Sequence, residues 1–102
     1  MQELTIYLNN QVVKHVPITA KSLIIGRDKY CDIILRDKTV SKRHAMILRH
    51  NDQCYIEDMG STNTTQVNYR ETHQHKLKHN DLITIGRFQL VFSDDSNLKS
   101  EQ

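Results

Sequence analysis

Apolar and polar residues alternate along most of the chain, which is the side-chain spacing of β-strands. Near the N-terminus Leu4, Ile6 and Leu8 are separated by single residues, and an Asn-Asn-Gln turn precedes a valine-rich run. These two runs predict an opening hairpin. Further short apolar runs predict strands at residues 23–26, 33–35, 44–50, 53–58, 82–85 and 88–92. The spacing of the last four predicts two more hairpins, each turning over two residues.

No helical pattern interrupts the strands. Because no stretch repeats its apolar residues every 3.6 positions between caps, we expect essentially no helix. Many short strands separated by turns are typical of a β-sandwich or barrel. We expect one domain over residues 1–93, since no linker divides the chain, and a polar tail over residues 94–102.

Composition restricts the class of protein further. The 102 residues are 37% hydrophobic and 25% charged, values that fit a soluble globular domain. No run approaches a membrane span and the N-terminus lacks a signal peptide, so we expect a cytoplasmic location. Cys31 and Cys54 are then expected to be free, half-buried thiols. A net charge of +2 is too small to indicate nucleic-acid binding.

Three short polar clusters follow predicted strands, at residues 26–27, 41–44 and 58–63. Arg27 offers a fork of N–H donors that matches phosphate oxygens. Ser41 and Thr62 add hydroxyl donors, and a tight loop after Asp58 can add backbone N–H groups. The order and spacing of the clusters therefore predict a phosphate-binding surface built from loops.

The clusters also match a family pattern in their order along the chain. Gly-Arg occurs at 26–27, Cys-Asp-Ile at 31–33, Val-Ser-x-x-His-Ala at 40–45, Asp-x-x-Ser-Thr-Asn at 58–63, Val-Asn at 67–68 and Leu-x-x-x-Asp-x-Ile-x-Ile-Gly at 77–86. In this respect the chain resembles the forkhead-associated (FHA) domain, a β-sandwich family that binds phosphothreonine peptides. The resemblance extends from about residue 23 to residue 92. It implies two mainly antiparallel sheets with the binding loops at one end.

The resemblance implies a role for each residue that contacts the phosphopeptide. Arg27 would hold the phosphate as a bidentate ion pair, and Ser41 would donate its hydroxyl to another phosphate oxygen. Lys42 would add a backbone N–H and its ammonium group. Thr62 would approach the phosphate and the threonine methyl group, while Asn63 would bind the peptide main chain.

The resemblance also implies supporting residues around this site. Arg43 and Thr39 would flank it and select neighbouring peptide residues. His44 would be a buried histidine that ties the loops together, and Gly26 would support the strand end. Asp58 is better explained as a turn residue that bonds nearby backbone groups.

The implied function is phosphothreonine-dependent protein binding in kinase signalling or regulation, with a Ser/Thr kinase acting upstream. We expect no enzyme activity, cofactor, metal, nucleic acid or membrane partner. The main alternative is a degenerate FHA-like module that interacts or self-associates without phosphate. Weak nucleic-acid binding is a third hypothesis, which predicts affinity that falls steeply with salt.

Three positions depart from the family pattern, because glycine is usual where this chain has Thr64, Tyr69 and Asn80. Asparagine tolerates a positive φ, so Asn80 is a mild change. A β-branched residue avoids it, so Thr64 predicts either a negative φ or a different loop path. The second possibility would alter the placement of Thr62 and Asn63.

Two other chemistries have weaker support in the sequence. Ser41, His44 and Asp58 could suggest a catalytic triad, but the chain has no nucleophile elbow and the resemblance assigns His44 to the loop scaffold. His73 and His75 would share a strand face and could bind nickel or zinc weakly. With no carboxylate or cysteine beside them in the sequence, a solvated edge or loop is the better interpretation.

Overall fold

The computed structural model describes residues 1–95, which form eleven β-strands and no helix. Within this part of the chain there is accordingly no helix able to span a membrane. The strands, numbered in chain order, are β1 Gln2–Leu8, β2 Gln11–Pro17, β3 Ser22–Gly26, β4 Ile33–Ile34, β5 Ala45–His50, β6 Gln53–Asp58, β7 Thr65–Val67, β8 Arg70–Glu71, β9 Gln74–Lys76, β10 Leu82–Ile85 and β11 Phe88–Asp94.

Two sheets form the sandwich. The first has the strand order β2-β1-β11-β10-β7-β8, and the second has the order β4-β3-β5-β6-β9. All pairings are antiparallel except that of β3 with β4, which run parallel. The predicted all-β sandwich of two mainly antiparallel sheets is therefore confirmed.

The core lies between the two sheets and explains the alternating pattern. Along β11 every second side chain is buried, beginning with Phe88 and including Leu90 and Phe92, while the residues between them are partly exposed. This alternation places one face of each strand against the opposite sheet. Further fully buried apolar side chains come from both sheets and include Leu4, Ile6, Ile25, Ile33, Ile47, Ile56, Ile83 and Ile85.

Hairpin turns set the register of several neighbouring strands. Three turns have two consecutive residues at positive φ, which is the type I′ conformation favoured between twisted strands. These pairs are Asn9 and Asn10 (53° and 64°), Asn51 and Asp52 (52° and 61°), and Asn68 and Tyr69 (52° and 69°). The N-terminal and central hairpins predicted from the sequence are thus confirmed, as is the β10–β11 hairpin.

The short strands β7, β8 and β9 were not predicted. Strand β9 is the edge of its sheet, in agreement with the expected edge or loop around His75. At the C-terminus β11 continues through the buried Asp94, which the sequence analysis assigned to the tail. Most of that tail, residues 96–102, lies outside the described residues, so the domain boundary at 93 stays a prediction. Cys31 and Cys54 are both free and more deeply buried than expected.

Candidate functional site

The end of β3 lies against the loop that precedes β5, and this contact begins the site. The backbone N–H of Arg27 donates to the carbonyl of Ser41 over 3.0 Å, and that of Asp28 donates to Lys42 over 3.2 Å. Gly26 permits this approach, because a Cβ added there would lie 2.2 Å from the Lys42 carbonyl oxygen. The strand end therefore places Arg27 directly beside the 41–44 cluster.

Arg27 and Ser41 lie together with hydrogen-bonding capacity to spare. The Arg27 Nε–H donates to the Val40 carbonyl over 2.9 Å, which orients an otherwise exposed guanidinium. Within residues 1–95 its four terminal N–H groups have no partner. The Ser41 Oγ accepts the backbone N–H of Thr62 over 3.0 Å, so the hydroxyl proton is available to an external acceptor. Together the two side chains form an anion-binding arrangement.

His44 joins this loop to the loop between β6 and β7. Its Nδ1 accepts the backbone N–H of Ser41 over 3.0 Å, and its Nε2 lies 2.8 Å from the carbonyl oxygen of Thr64. An amide N–H can only donate and a carbonyl can only accept, so these bonds require a neutral ring with its proton on Nε2. His44 is fully buried. Both ring nitrogens are thus used to hold backbone, and neither contacts the Ser41 hydroxyl.

Asp58 organises the loop that follows β6. Its carboxylate accepts the backbone N–H groups of Gly60 and Ser61 over 2.9 and 3.0 Å, together with the hydroxyls of Ser61 and Thr65. Burial raises the pKa of Asp58, but these hydrogen bonds outweigh burial and hold the pKa below its usual range. The Asp58 carboxylate makes no hydrogen bond to His44, so Ser41, His44 and Asp58 do not form a catalytic relay.

Three backbone N–H groups of the loop after Asp58 already have partners. The backbone N–H groups of Gly60 and Ser61 donate to Asp58, and that of Thr62 donates to Ser41. They are therefore not open to a phosphate in this conformation. The donors that remain near Arg27 and Ser41 are the exposed side chain of Thr62 and the backbone N–H of Lys42, which has no partner in the described part of the chain.

The remaining predicted site residues lie on the same loops. Asn63 donates its side-chain N–H to the Thr39 carbonyl over 2.9 Å, and its side-chain oxygen has no partner among residues 1–95. Lys42 and Arg43 are exposed beside Ser41. Arg27, Ser41, Lys42, Arg43, Thr62 and Asn63 thus all belong to the loops at one end of the sandwich.

A hydrogen-bond network that the sequence did not reveal fixes Thr39, whose carbonyl accepts the Asn63 side chain. Asp37 accepts the backbone N–H of Thr39 over 2.9 Å as well as its hydroxyl, and Arg87 donates to Asp37 through Nε over 3.1 Å and through Nη2. The bonds from Arg87 and Thr39 hold the pKa of Asp37 well below its usual range. In the sequence Arg87 falls in the predicted turn between the strands at 82–85 and 88–92, and no local signal links it to Asp37.

Thr64 adopts the conformation that its side chain disfavours. Its φ is 64°, so the first of the two alternatives, a negative φ, is wrong, and Thr64 takes a left-handed geometry that glycine would adopt easily. The other alternative, a different loop path, stays a prediction. Tyr69 and Asn80 likewise have positive φ values of 69° and 73°. The Thr64 carbonyl is the one that accepts His44 Nε2–H, which explains why this strained geometry is held.

The histidine-containing segment also differs from expectation in one contact. His75 Nε2 lies 3.1 Å from Asp81, whose carboxylate further accepts the side-chain N–H of Asn68 and the backbone N–H of Lys78. A carboxylate does therefore lie beside this histidine. Residues 1–95 nevertheless contain no group of three or more potential metal ligands. Asp81 acts as a structural connection between β9, β10 and the β7–β8 turn.

The fold and this loop cluster agree with the comparison to known families. The profile of the FHA domain matches residues 23–86. The chain belongs to the FHA domain family. An FHA domain whose phosphothreonine-dependent interactions were studied has a TM-score of 0.81 and 27% identity, covering 90% of this chain and 96% of that one. The FHA domain of the CT664 protein from Chlamydia trachomatis has a TM-score of 0.84 and 29% identity, with coverage of 91% and 96%.

Curated relatives are similar over the same region. An oxoglutarate dehydrogenase inhibitor from Corynebacterium jeikeium is 45% identical over 71 residues, which are 70% of this chain and 49% of the relative. The glycogen accumulation regulator GarA from Mycobacterium tuberculosis is 42% identical over 67 residues, or 66% of this chain and 41% of GarA. The chain therefore spans less than half the length of these relatives.

Proposed function

We propose that this domain binds proteins that carry a phosphorylated threonine, in kinase signalling or regulation. The observation that carries the proposal is the pairing of an oriented, exposed Arg27 guanidinium with the Ser41 hydroxyl, each with unused donors. A phosphothreonine carries about −1.5 to −2 charges at neutral pH and three acceptor oxygens. Donors on loops that are already ordered bind such a group without a large entropic penalty.

Arg27 is expected to dominate the affinity. Hydrogen bonds to charged groups contribute about 1.5–3 kcal/mol each, roughly twice the value of neutral ones. Its Nε–H is already bonded to Val40, so two of the terminal N–H groups would make the bidentate contact. Ser41 would donate its free hydroxyl proton to a further oxygen, and the Lys42 backbone N–H and ammonium group would add to it.

Thr62 and Asn63 would select the peptide. The exposed Thr62 side chain would contact the phosphate and the methyl group that distinguishes phosphothreonine from phosphoserine. Asn63 keeps a free side-chain oxygen with which to accept a peptide N–H. Arg43 would flank the site and contact residues next to the phosphothreonine.

The same proposal includes a non-catalytic role. Relatives named as an inhibitor of oxoglutarate dehydrogenase and as a regulator of glycogen accumulation support regulation rather than catalysis. A Ser/Thr kinase would act upstream to create the ligand. The two free, buried cysteine thiols support a reducing location such as the cytoplasm. No cofactor is required for binding of this kind.

Calorimetric titration with matched phosphorylated and unphosphorylated peptides tests the proposal. We expect only the phosphothreonine peptide to bind, and Arg27→Ala to weaken binding by at least about 100-fold. Arg70→Ala is a matched control, because Arg70 is an exposed arginine on β8 outside the three loops. Equal affinity for the two peptides would contradict the proposal and favour a phosphate-independent interaction module.

A further inference from the structure

We propose that Arg36 and Lys38 select an acidic residue close to the phosphothreonine, so that the preferred ligand is an acidic phosphopeptide. This inference rests on the proposed function and deepens it, because it concerns the surface directly beside Arg27. It gives a role to two exposed cations that the family pattern did not single out.

The parallel pairing of β3 and β4 brings these cations to the site. Gly26 pairs with Ile34, and the backbone N–H of Leu35 donates to the Gly26 carbonyl over 2.8 Å. Because the two strands run in the same direction, the residues that follow them leave the sheet at the same end of the strands. Arg36 therefore emerges next to Arg27.

A groove of about 500 Å³ lies at this edge, lined by Arg27, Arg36, Asp37 and Lys38. The three cationic residues are exposed, and none of them forms an ion pair within residues 1–95. The groove is therefore open to solvent and to a ligand that already touches Arg27.

The single carboxylate of the groove does not offset these cations. Asp37 is bound by Arg87 from the β10–β11 turn and by both donors of Thr39, and its side chain is only 9% exposed. Arg87, which does not line the groove, thus neutralises the negative charge of Asp37. The groove as a whole presents positive potential to a peptide, which favours acidic side chains over neutral or basic ones.

The distances in an extended peptide fit this assignment. A strand-like peptide advances about 3.3 Å per residue, and adjacent strands lie about 4.8 Å apart. When Arg27 binds the phosphate, the side chain of Arg36 or Lys38 would reach peptide residues within about three positions of the phosphothreonine. An acidic side chain there would contact a cation without displacing the phosphate.

A peptide series tests the preference directly. The probes are an alanine-rich phosphothreonine peptide and six derivatives, each with one aspartate at one of the three positions before or after the phosphothreonine. We expect at least one derivative to bind about threefold to tenfold more tightly at low ionic strength, as expected for contacts with two exposed cations. The gain should decrease in 0.5 M salt, because exposed charges are screened.

Variants assign that gain to the two residues. In the double variant Arg36→Ala with Lys38→Ala the neutral phosphopeptide should still bind, more weakly because two cations near the phosphate are removed, while the ratio of acidic to neutral affinities should lose most of the gain from aspartate. The double variant Arg70→Ala with Lys76→Ala removes the same charge from exposed positions on β8 and β9 and should keep the gain.

The Arg87–Asp37 pair provides an independent readout. Arg87 does not line the groove, yet Arg87→Ala would leave the Asp37 charge without its partner and should reduce the aspartate gain. The ratio of affinities for acidic and neutral peptides is measured within each variant, so a general loss of binding does not affect it. Arg87→Lys keeps the positive charge and should preserve most of the ratio.

The outcomes separate this inference from the proposed function. Binding of the neutral phosphopeptide with no gain from aspartate at any position would overturn the acidic preference alone. An unchanged ratio in the Arg36 and Lys38 double variant would also overturn it. If no phosphopeptide of the series binds at all, both proposals are wrong.

Discussion

The Nδ1 atom of His44 accepts a 3.0 Å hydrogen bond from the backbone N–H of Ser41, the residue whose hydroxyl faces the proposed phosphate. The opposite nitrogen of the same ring donates to the Thr64 carbonyl over 2.8 Å. One fully buried neutral imidazole therefore fixes two binding loops relative to each other. His44 thus holds the backbone of Ser41 in place, and under the proposed function it would act through this contact and not by touching the ligand.

Replacing His44 should damage stability and binding together. We expect His44→Ala to lower the free energy of unfolding by about 2–4 kcal/mol, because it removes two buried hydrogen bonds and leaves a cavity. Phosphopeptide affinity should also fall, since Ser41 and Thr64 would no longer be held together. Urea denaturation and calorimetric titration measure the two effects. His50→Ala, at an exposed hairpin end, is the control and should change neither, and a His44→Ala protein of wild-type stability would contradict this view.

Replacing Thr64 should raise the stability of the domain, whereas replacing His44 should lower it. A left-handed conformation costs a non-glycine residue about 1–2 kcal/mol, part of which glycine returns through its greater flexibility when unfolded. We therefore expect Thr64→Gly to stabilise the domain by roughly 0.5–1 kcal/mol, with a rise of several degrees in Tm. The His44 bond uses the backbone carbonyl and should be unaffected. Thermal denaturation checks the prediction, with Thr64→Ala, which keeps a Cβ at positive φ, as a comparison that should stabilise the domain less than Thr64→Gly.

The sequence predicted the sandwich because β1, β10 and β11 are apolar runs bounded by turn residues, with Leu4, Ile6 and Leu8 on alternate positions of β1. Strands β7, β8 and β9 have two or three mostly polar residues each, so they lack an apolar period and were missed. Arg27 and Ser41 were identified from their donor chemistry and from the order of the polar clusters, and the family pattern then implied their roles and the scaffold role of His44. The bond between Arg87 and Asp37 joins residues 50 positions apart, one in the β10–β11 turn and one in the loop after β4, and only the packing of the two sheets brings these loops together.

Gly26 gives a test of the close approach between β3 and the 41–44 cluster. In Gly26→Ala the new Cβ would lie 2.2 Å from the Lys42 carbonyl oxygen and 2.9 Å from the Cys31 sulfur. The backbone must separate there, which would break the bonds of Arg27 and Asp28 to the facing loop. We expect a loss of about 1–3 kcal/mol in stability and a clear loss of phosphopeptide binding.

Gly60 is the matched control for this substitution. It lies in a binding loop and has a φ of 77°, but a Cβ added there would meet nothing within 4 Å. Gly60→Ala should therefore show only the conformational penalty of about 1 kcal/mol. If the two alanine variants behaved alike in binding, the close approach at Gly26 would not be what positions Arg27.

Asp58 makes the stability of the binding loop depend on pH. Its pKa is lowered in the folded protein, because its hydrogen bonds from Ser61, Thr65 and Gly60 outweigh the effect of burial. A carboxyl group whose folded pKa lies below the unfolded value of about 3.9 stabilises the fold at neutral pH. That contribution is lost as pH falls from about 4 through the folded pKa.

In Asp58→Asn an amide N–H would face donors instead of accepting from them, so the variant should be less stable than wild type at pH 7. The stability difference between the two proteins, measured by urea denaturation, should shrink between pH 5 and pH 3. Asp37 and Asp81 also have lowered pKa values and remain in both proteins, so the difference isolates Asp58. A difference that stays constant with pH would show that its hydrogen bonds do not depend on the charged form.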